Sequence, residues 1–412
     1  MANRRLNKKV ALVGSVIFVF VVLGVILAIF HLGRNPKELI KDAEATLNAA
    51  HEATDETLKE QHYKRAESSF RSAYGRAKTS LLREEILFKM IDMYLEIKEW
   101  PFILGCWDEI IRINPNNVKA RYGRLTYFYI LADSGALGVW QEVQEQATEF
   151  LEIAEKADLL MEDTAQWDVF GTEHKKAAPQ ALGPYLYLVR GKAILEMASL
   201  GAVTNRNESL AQAVEDLEKV LEYEPDNIDA YWYLARASVI KGEIFASRGS
   251  TEERDEALDQ AITLLEQSVQ VAEANPEAHV NLLRLKLVIN KDGDPALLKK
   301  KLQSLESEYL TLVRNFSSSA IAYAAISQFY SVYANYSGPE LGLEILDKAI
   351  EAIEQAIKLD EKSVTYAINA ANLHYRRFSF YKQRPQIYKA METAKKALTL
   401  PDAQDVPGPR HR

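Results

Sequence analysis

Apolar residues recur at spacings of three and four along almost the whole chain after residue 36, and no stretch shows a convincing β-hairpin pattern. The apolar segments come in pairs that are separated by breaks rich in Pro, Asp and Asn. This pattern predicts an all-α protein. The predicted helix pairs are 37–77, 82–113, 117–156, 184–223, 227–274, 277–314, 319–359 and 363–399.

The segment 210–235, LAQAVEDLEKVLEYEPDNIDAYWYLA, shows one break and its flanking helices clearly. Ala213 and Leu217 lie on one apolar stripe, and the small Ala213 side chain lets a neighbouring helix approach closely. Pro225 cannot continue the first helix, and Asn227 supplies a side-chain oxygen that can cap the second. The segment therefore predicts a helix, a tight turn and a second helix.

The same design recurs in 94–117, where Ile103 and Trp107 form the stripe and Pro115 lies in the break, and again in 345–371. These segments resemble the tetratricopeptide repeat family, whose repeat of 34 residues is a helix pair. The resemblance extends loosely over most of residues 40–400. It implies a right-handed superhelical solenoid of about eight antiparallel helix pairs, because each pair leaves an apolar face that only the next pair can cover.

The N-terminus carries the most apolar stretch of the chain, VALVGSVIFVFVVLGVILAIF at 10–30, which contains no charged residue. As a helix it would be about 31 Å long, which matches the hydrocarbon core of a bilayer. A cleaved secretory signal is the alternative interpretation. Four basic residues in the tail 1–9 predict a cytoplasmic N-terminus at an inner or plasma membrane, with the solenoid on the extracytoplasmic side.

These patterns divide the chain into a basic tail, one single-pass transmembrane helix that contacts the lipid bilayer, and two runs of repeats separated by a segment that fits no repeat. The predicted limits are 1–9 for the tail, 10–30 for the transmembrane helix, 31–156 and 184–400 for the repeats, 157–183 for the insertion and 401–412 for a Pro-rich C-terminal tail.

Composition and charge narrow the classes of function. The 18 glycines and 13 prolines are few for 412 residues, which favours helices over many short strands. The net charge is −8 although the first nine residues are basic, so the body of the chain is a poor electrostatic match to nucleic acid. With Cys106 as the single cysteine, the chain can form no internal disulfide and no cysteine metal cluster.

Motifs for catalysis are missing from the sequence. HEATD at 51–55 starts like a zinc motif, but Asp55 stands where the second His is needed. The seven histidines have no metal-ligand spacing, and Cys106 lies on an apolar helix face beside Trp107. We expect no enzymatic activity, no metal and no cofactor.

The resemblance implies instead a concave groove, lined by the first helix of each pair, that binds a protein or peptide partner. Aromatic and Arg side chains anchor interfaces, and Asn side chains can hold a peptide backbone. The predicted groove residues are Tyr122, Trp232, Tyr233, Arg236, Asn369, Asn372, Tyr375 and Arg376.

The predicted function is a membrane-anchored scaffold for protein–protein interaction. Three alternatives stay open. The aromatic residues can simply pack between helices, the chain can be a carbohydrate- or polymer-binding module of the cell envelope, or it can be the non-catalytic N-terminal part of a larger enzyme complex.

Overall fold

A computed structural model describes residues 35–167, 181–289, 295–381 and 384–399 of the chain, and these residues form sixteen α-helices, two 3₁₀ turns and no β-strand. The helices are α1 (Pro36–Glu52), α2 (Glu56–Arg76), α3 (Ser80–Glu96), α4 (Trp100–Ile113), α5 (Val118–Asp133), α6 (Trp140–Lys156), α7 (Leu182–Ser199), α8 (Arg206–Tyr223), α9 (Ile228–Ser247), α10 (Thr251–Val271), α11 (Pro276–Ile289), α12 (Pro295–Asn315), α13 (Ala320–Ala334), α14 (Pro339–Leu359), α15 (Val364–Tyr381) and α16 (Arg384–Leu398). The predicted all-α class is confirmed.

The apolar periodicity predicts that each odd-numbered helix is the first of a pair and the next even-numbered helix the second. In six of the eight predicted pairs the first helix packs on the second more extensively than on any other helix, namely α1–α2, α3–α4, α7–α8, α9–α10, α13–α14 and α15–α16. The limits of these pairs agree with the predicted segments to within about three residues. The handedness of the stacking and the predicted domain limits stay predictions.

At the predicted breaks, a side chain caps the N-terminus of the next helix. Asn227 has extended backbone angles and its Oδ1 accepts a hydrogen bond from the Ala230 N–H at 2.9 Å, which starts α9. Asn117 does the same for the Ala120 N–H at 3.0 Å, at the start of α5. Each cap satisfies one of the N–H groups that a helix leaves without an intrahelical partner.

Two compact units make up the chain, residues 1–120 and residues 121–412. In the first unit, the triplet Ala66, Phe70 and Ala73 of α2 is completely buried. Cys106 of α4 is also buried, and burial raises the pKa of its thiol to about 12. A thiol with that pKa is protonated at neutral pH and is a poor nucleophile.

The most enclosed helix of the second unit is α7, in which every residue except Arg190, Glu196 and Ser199 is buried. Gly191 allows α8 to come close, because a Cβ atom at this position would lie 3.1 Å from Cγ of Leu217. Arg190 reaches out of α7 and forms two hydrogen bonds of 2.7 and 2.6 Å with the fully buried carboxylate of Asp216.

Farther along the second unit, α11 to α15 share one hydrophobic core. Tyr309 and Phe329 are stacked at its centre, with ring centroids 4.7 Å apart. The hydroxyl of Ser327, also buried, donates to the carbonyl oxygen of Ala349 at 2.7 Å and joins α13 to α14.

The predicted insertion at 157–183 is described only at its two ends. Residues 164–167 form a 3₁₀ turn, and Asp163 pairs with Ala181 in an isolated antiparallel bridge. The N–H of Gly183 donates to the Leu160 carbonyl at 2.7 Å. The two ends of the segment are therefore close to each other at the start of α7.

The predicted localisation as a single-pass membrane protein is corrected by the structure. Within the residues that it describes, no helix is both long enough and apolar enough to span a bilayer. The apolar stretch 10–30, the basic tail 1–9 and the tail 401–412 lie outside those residues. The predicted contact with the lipid bilayer therefore has no support.

Candidate partner-binding surface

The first helices of neighbouring pairs contact one another directly in the second unit, where α9 packs on both α7 and α11. Side chains that point away from the second helices therefore meet on a shared surface. One group on this surface consists of Tyr129 and Asp133 on α5, Lys192 on α7, and Asp229 and Tyr233 on α9. We call these five residues the Lys192 cluster.

Lys192 lies at the centre of the cluster with only 5% of its surface exposed. Its Nζ is 2.6 Å from Oδ1 of Asp133 and donates a hydrogen bond to the Tyr129 hydroxyl at 3.1 Å. The same Nζ lies 4.8, 5.3 and 5.6 Å from the ring centroids of Tyr129, Tyr233 and Trp140. These distances are typical of cation–π contacts.

The electrostatic surroundings keep Lys192 charged. Burial lowers the pKa of its ammonium group, but the neighbouring tyrosines Tyr129 and Tyr233 and the carboxylate of Asp133 outweigh this effect, so that the pKa is raised above its usual value. Burial conversely raises the pKa of the Tyr233 hydroxyl to about 12. At neutral pH the cluster therefore contains a protonated amine, neutral aromatic rings and the carboxylate of Asp133, in addition to Asp229.

Asp229 is the group of the cluster whose charge is least compensated. Burial raises the pKa of its carboxyl from 3.8 to about 6, and the like charge of Glu277 on α11 raises it further, while Lys192 acts in the opposite direction. Among the described residues, Asp229 has no side-chain hydrogen bond or ion pair. Its side chain is nevertheless half-buried, at the first turn of α9.

Two of the predicted groove residues lie in or against this cluster. Tyr233 is a member. The guanidinium of Arg236, one turn farther along α9, lies 5.9 Å from the Tyr233 ring and is 2.5 Å from Oε1 of Glu196. Arg236 therefore links α9 to α7 in addition to presenting its half-buried side chain at the surface.

Two other predicted residues pack against the core. Tyr122 is fully buried, with its ring centroid 5.1 Å from that of Tyr185 and 6.1 Å from that of Trp167. Trp232 is half-buried against a small core cluster that includes Leu265 of α10. In this structure Tyr122 therefore offers no ring face to a partner, and Trp232 offers part of one.

The remaining predicted residues lie on α15. Asn369, Asn372 and Tyr375 are exposed, and Tyr375 has 58% of its surface accessible. Arg376 instead connects α15 to α13, because its guanidinium donates to Oδ1 of Asn335 at 2.8 Å and to the Ser331 carbonyl at 3.3 Å. A binding role for these side chains stays a prediction.

Sequence reasoning missed Tyr129, Asp133, Lys192 and Asp229. One signal was present in α7, where LGPYLYLVRGKAILEMAS is apolar on every side except for its three charged residues. A cation in a helix that is buried all round needs a partner, because an unpaired buried charge is strongly destabilising. Lys192 therefore pointed to a polar cluster, although the residues that surround it come from other helices.

These side chains can bind a charged group of a ligand together with an aromatic or apolar part of it. In the part of the chain that the structure describes, there is no group of three or more His, Cys, Asp or Glu side chains that could hold a metal ion. The Lys192 cluster combines the half-buried carboxyl of Asp229 with the ammonium group of Lys192, which is paired with Asp133. Such a surface can bind a cationic group through Asp229 and Glu277.

Comparisons with known proteins give a likeness of fold. No family model matches the chain, and no curated protein does. Among solved structures, a tetratricopeptide repeat protein from Parabacteroides merdae ATCC 43184 is 11% identical and covers 81% of this chain and 98% of its own, with a TM-score of 0.44.

Two further solved structures are similar over about half of the chain. TTC0263, a thermophilic TPR protein of Thermus thermophilus, is 14% identical and covers 57% of this chain and 95% of its own, with a TM-score of 0.33. MamA from Desulfovibrio magneticus RS-1 is 17% identical and covers 52% of this chain and 97% of its own, with a TM-score of 0.28. These likenesses concern the fold alone.

Proposed function

We propose that the unit 121–412 is a protein-interaction module that binds a segment of a partner protein at the Lys192 cluster, and that the segment carries a Lys or Arg side chain. The observation that carries this proposal is the half-buried carboxyl of Asp229, which has no ion pair among the described residues and a raised pKa. A carboxylate in such a place destabilises the free protein. A cationic side chain from a partner would compensate it.

The surroundings of Asp229 support a peptide ligand. Glu277 adds a second negative charge nearby, so the surface attracts a cation more strongly than one carboxylate would. The half-buried Trp232, one turn after Asp229 on α9, supplies apolar surface beside the charge. Aromatic side chains and Arg in desolvated pockets are the residue types that dominate binding energy in protein interfaces.

A carbohydrate-binding function is less well supported. Sugar rings stack on open faces of aromatic side chains, whereas Lys192 lies over the rings of Tyr129, Tyr233 and Trp140. The alternative of a non-catalytic part in a larger enzyme complex stays a prediction from the sequence.

The test is selection of binders from a displayed library of random peptides, with the full-length chain as bait and with Asp229→Asn in parallel. We expect the selected peptides to share a basic residue and to lose about tenfold or more in affinity for Asp229→Asn, since a charged hydrogen bond is worth roughly 1.5–3 kcal/mol. The matched control is Asp226→Asn, which removes the same charge at an exposed position in the preceding turn. Selected peptides without basic residues, or equal binding to all three proteins, would refute the proposal.

A further inference from the structure

A separate cleft of about 370 Å³ lies between α8, α9 and α10. Its walls are mostly apolar and include Leu210 and Val214 from α8 and Ile244 and Phe245 from α9. The volume falls within the range of about 300–1,000 Å³ that small-molecule sites occupy. The cleft shares no residue with the Lys192 cluster.

The charged residues that line this cleft are all positive. Lys241 lies on α9 and Arg248 follows directly after its C-terminus, about two turns farther along, and no Asp or Glu is among the lining residues. The Lys241 Nζ is 5.9 Å from the centroid of the Phe245 ring, so the ammonium group lies at the edge of the apolar wall. Neither cation has an ion pair within the described part of the chain.

The nearest acidic side chain on the same stretch of α9 is already paired. Glu243 lies 3.5 Å from the guanidinium of Arg206, at the start of α8. It therefore does not neutralise the two cations of the cleft. An anion supplied by a ligand would meet Lys241 and Arg248 at the same time as its apolar part meets the walls.

We propose that this cleft is a binding site for a small amphipathic carboxylate of the medium-chain fatty acid class. The apolar chain would fill the space between Leu210, Val214, Ile244 and Phe245, and each buried CH₂ group favours binding through removal of apolar surface from water. The carboxylate would lie between Lys241 and Arg248, where charge-assisted hydrogen bonds are strong. The cleft is open to solvent on the side of the exposed Lys241 and Arg248, and its volume suits a single chain of this kind but is too small for a partner helix.

The experiment is calorimetric titration of the full-length chain with decanoate below its micelle concentration, and with decanol as the uncharged probe of the same chain length. We expect saturable binding of one decanoate per chain and binding of decanol that is about tenfold weaker, because decanol lacks the charge. The double variant Lys241→Gln/Arg248→Gln should reduce decanoate binding to the level of decanol. Lys362→Gln, at an exposed position outside the cleft, is the matched control and should bind as the wild type does.

A second variant tests the apolar walls independently of the charges. Ala211 lines the cleft and is exposed on α8, so Ala211→Phe should fill the space without disturbing the core. We expect this variant to keep the melting temperature of the wild type and to lose binding of both probes. Non-saturable uptake, equal affinity for the two probes, or unchanged decanoate binding in Ala211→Phe would each overturn the proposal.

Covalent mapping distinguishes this site from binding elsewhere on the protein. A decanoate analogue with a photoreactive diazirine at its apolar end should label peptides from α8, α9 or α10, and unlabelled decanoate should compete with it. Labelling confined to other helices would contradict the assignment of the cleft, whatever the affinity.

Discussion

Replacing Asp229 by Asn removes a charge that destabilises the free protein. The pKa of this carboxyl rises from 3.8 in the unfolded chain to about 6 in the fold, and each pKa unit corresponds to about 1.4 kcal/mol. The ionised form therefore costs roughly 3 kcal/mol at pH 7. Asp229 also lies in the first turn of α9, where a negative charge gains about 0.3–1 kcal/mol from the helix dipole. We expect Asp229→Asn to be more stable than the wild type by about 2 kcal/mol at pH 7.

The pH dependence of this difference has a definite sign. Between pH 3.8 and 6 the folded protein binds more protons at Asp229 than the unfolded chain does, so the wild type gains stability as the pH falls through this window. The advantage of the variant should be complete well above pH 6 and absent below pH 3.8. The measurement is urea-induced unfolding of both full-length proteins at a series of pH values.

Asp226→Asn is the control, because Asp226 is exposed in the turn that precedes α9. Its stability should follow that of the wild type at every pH. A variant Asp229→Asn that is less stable than the wild type at pH 7, or whose advantage does not change with pH, would show that the fold does compensate this carboxylate. The argument for a cationic partner would then lose its basis.

Three further substitutions test the packing of the second unit and its cluster, each by urea unfolding of the full-length chain. Asp216→Ala removes the fully buried carboxylate that binds Arg190, whose side chain is only 15% exposed, and should destabilise the fold by about 3–5 kcal/mol, and a loss below about 1 kcal/mol would show that water reaches this pair. Ala213→Leu adds volume at a completely buried position and should cost about 1–3 kcal/mol through overpacking, so a neutral result would contradict the close contact assigned to it. Lys192→Met removes an ammonium group whose contacts with Tyr129, Tyr233 and Asp133 outweigh the cost of its burial, and should destabilise the fold by roughly 1.5–3 kcal/mol at neutral pH; an unchanged stability would mean that burial cancels these contacts.

The helices and their order could be predicted because their determinants are local. Apolar spacing within one segment fixes which face is buried, and a break such as that at Pro225 and Asn227 fixes where a helix ends and the next begins. Ala213, predicted as a close-contact position from its size alone, is indeed completely buried. Repeated helix pairs are favourable for prediction from sequence, since each pair carries the same local signals.

The candidate site could be predicted only in part because its residues meet across several helices. The side chains around Lys192 come from α5, α6 and α9, and no local pattern states which residue of one helix faces which residue of another. Tyr122 shows the same limit of local patterns. It belongs to a first helix, as Trp232 does, but Tyr185 and Trp167 cover it. Burial of a side chain by residues far away in the sequence is the information that periodicity lacks.

The raised pKa of Asp229 predicts that binding of the proposed basic partner segment releases protons. At pH 6 about half of the Asp229 carboxyls are protonated in the free protein, and a partner Lys or Arg binds the ionised form, so binding should release roughly half a proton per complex. Calorimetric titrations of a selected basic peptide in two buffers with different ionisation enthalpies measure this number directly. Asp229→Asn should release no proton at this pH. Identical proton release by the two proteins would place the cation elsewhere on the surface, whereas release by the wild type alone would locate it at Asp229.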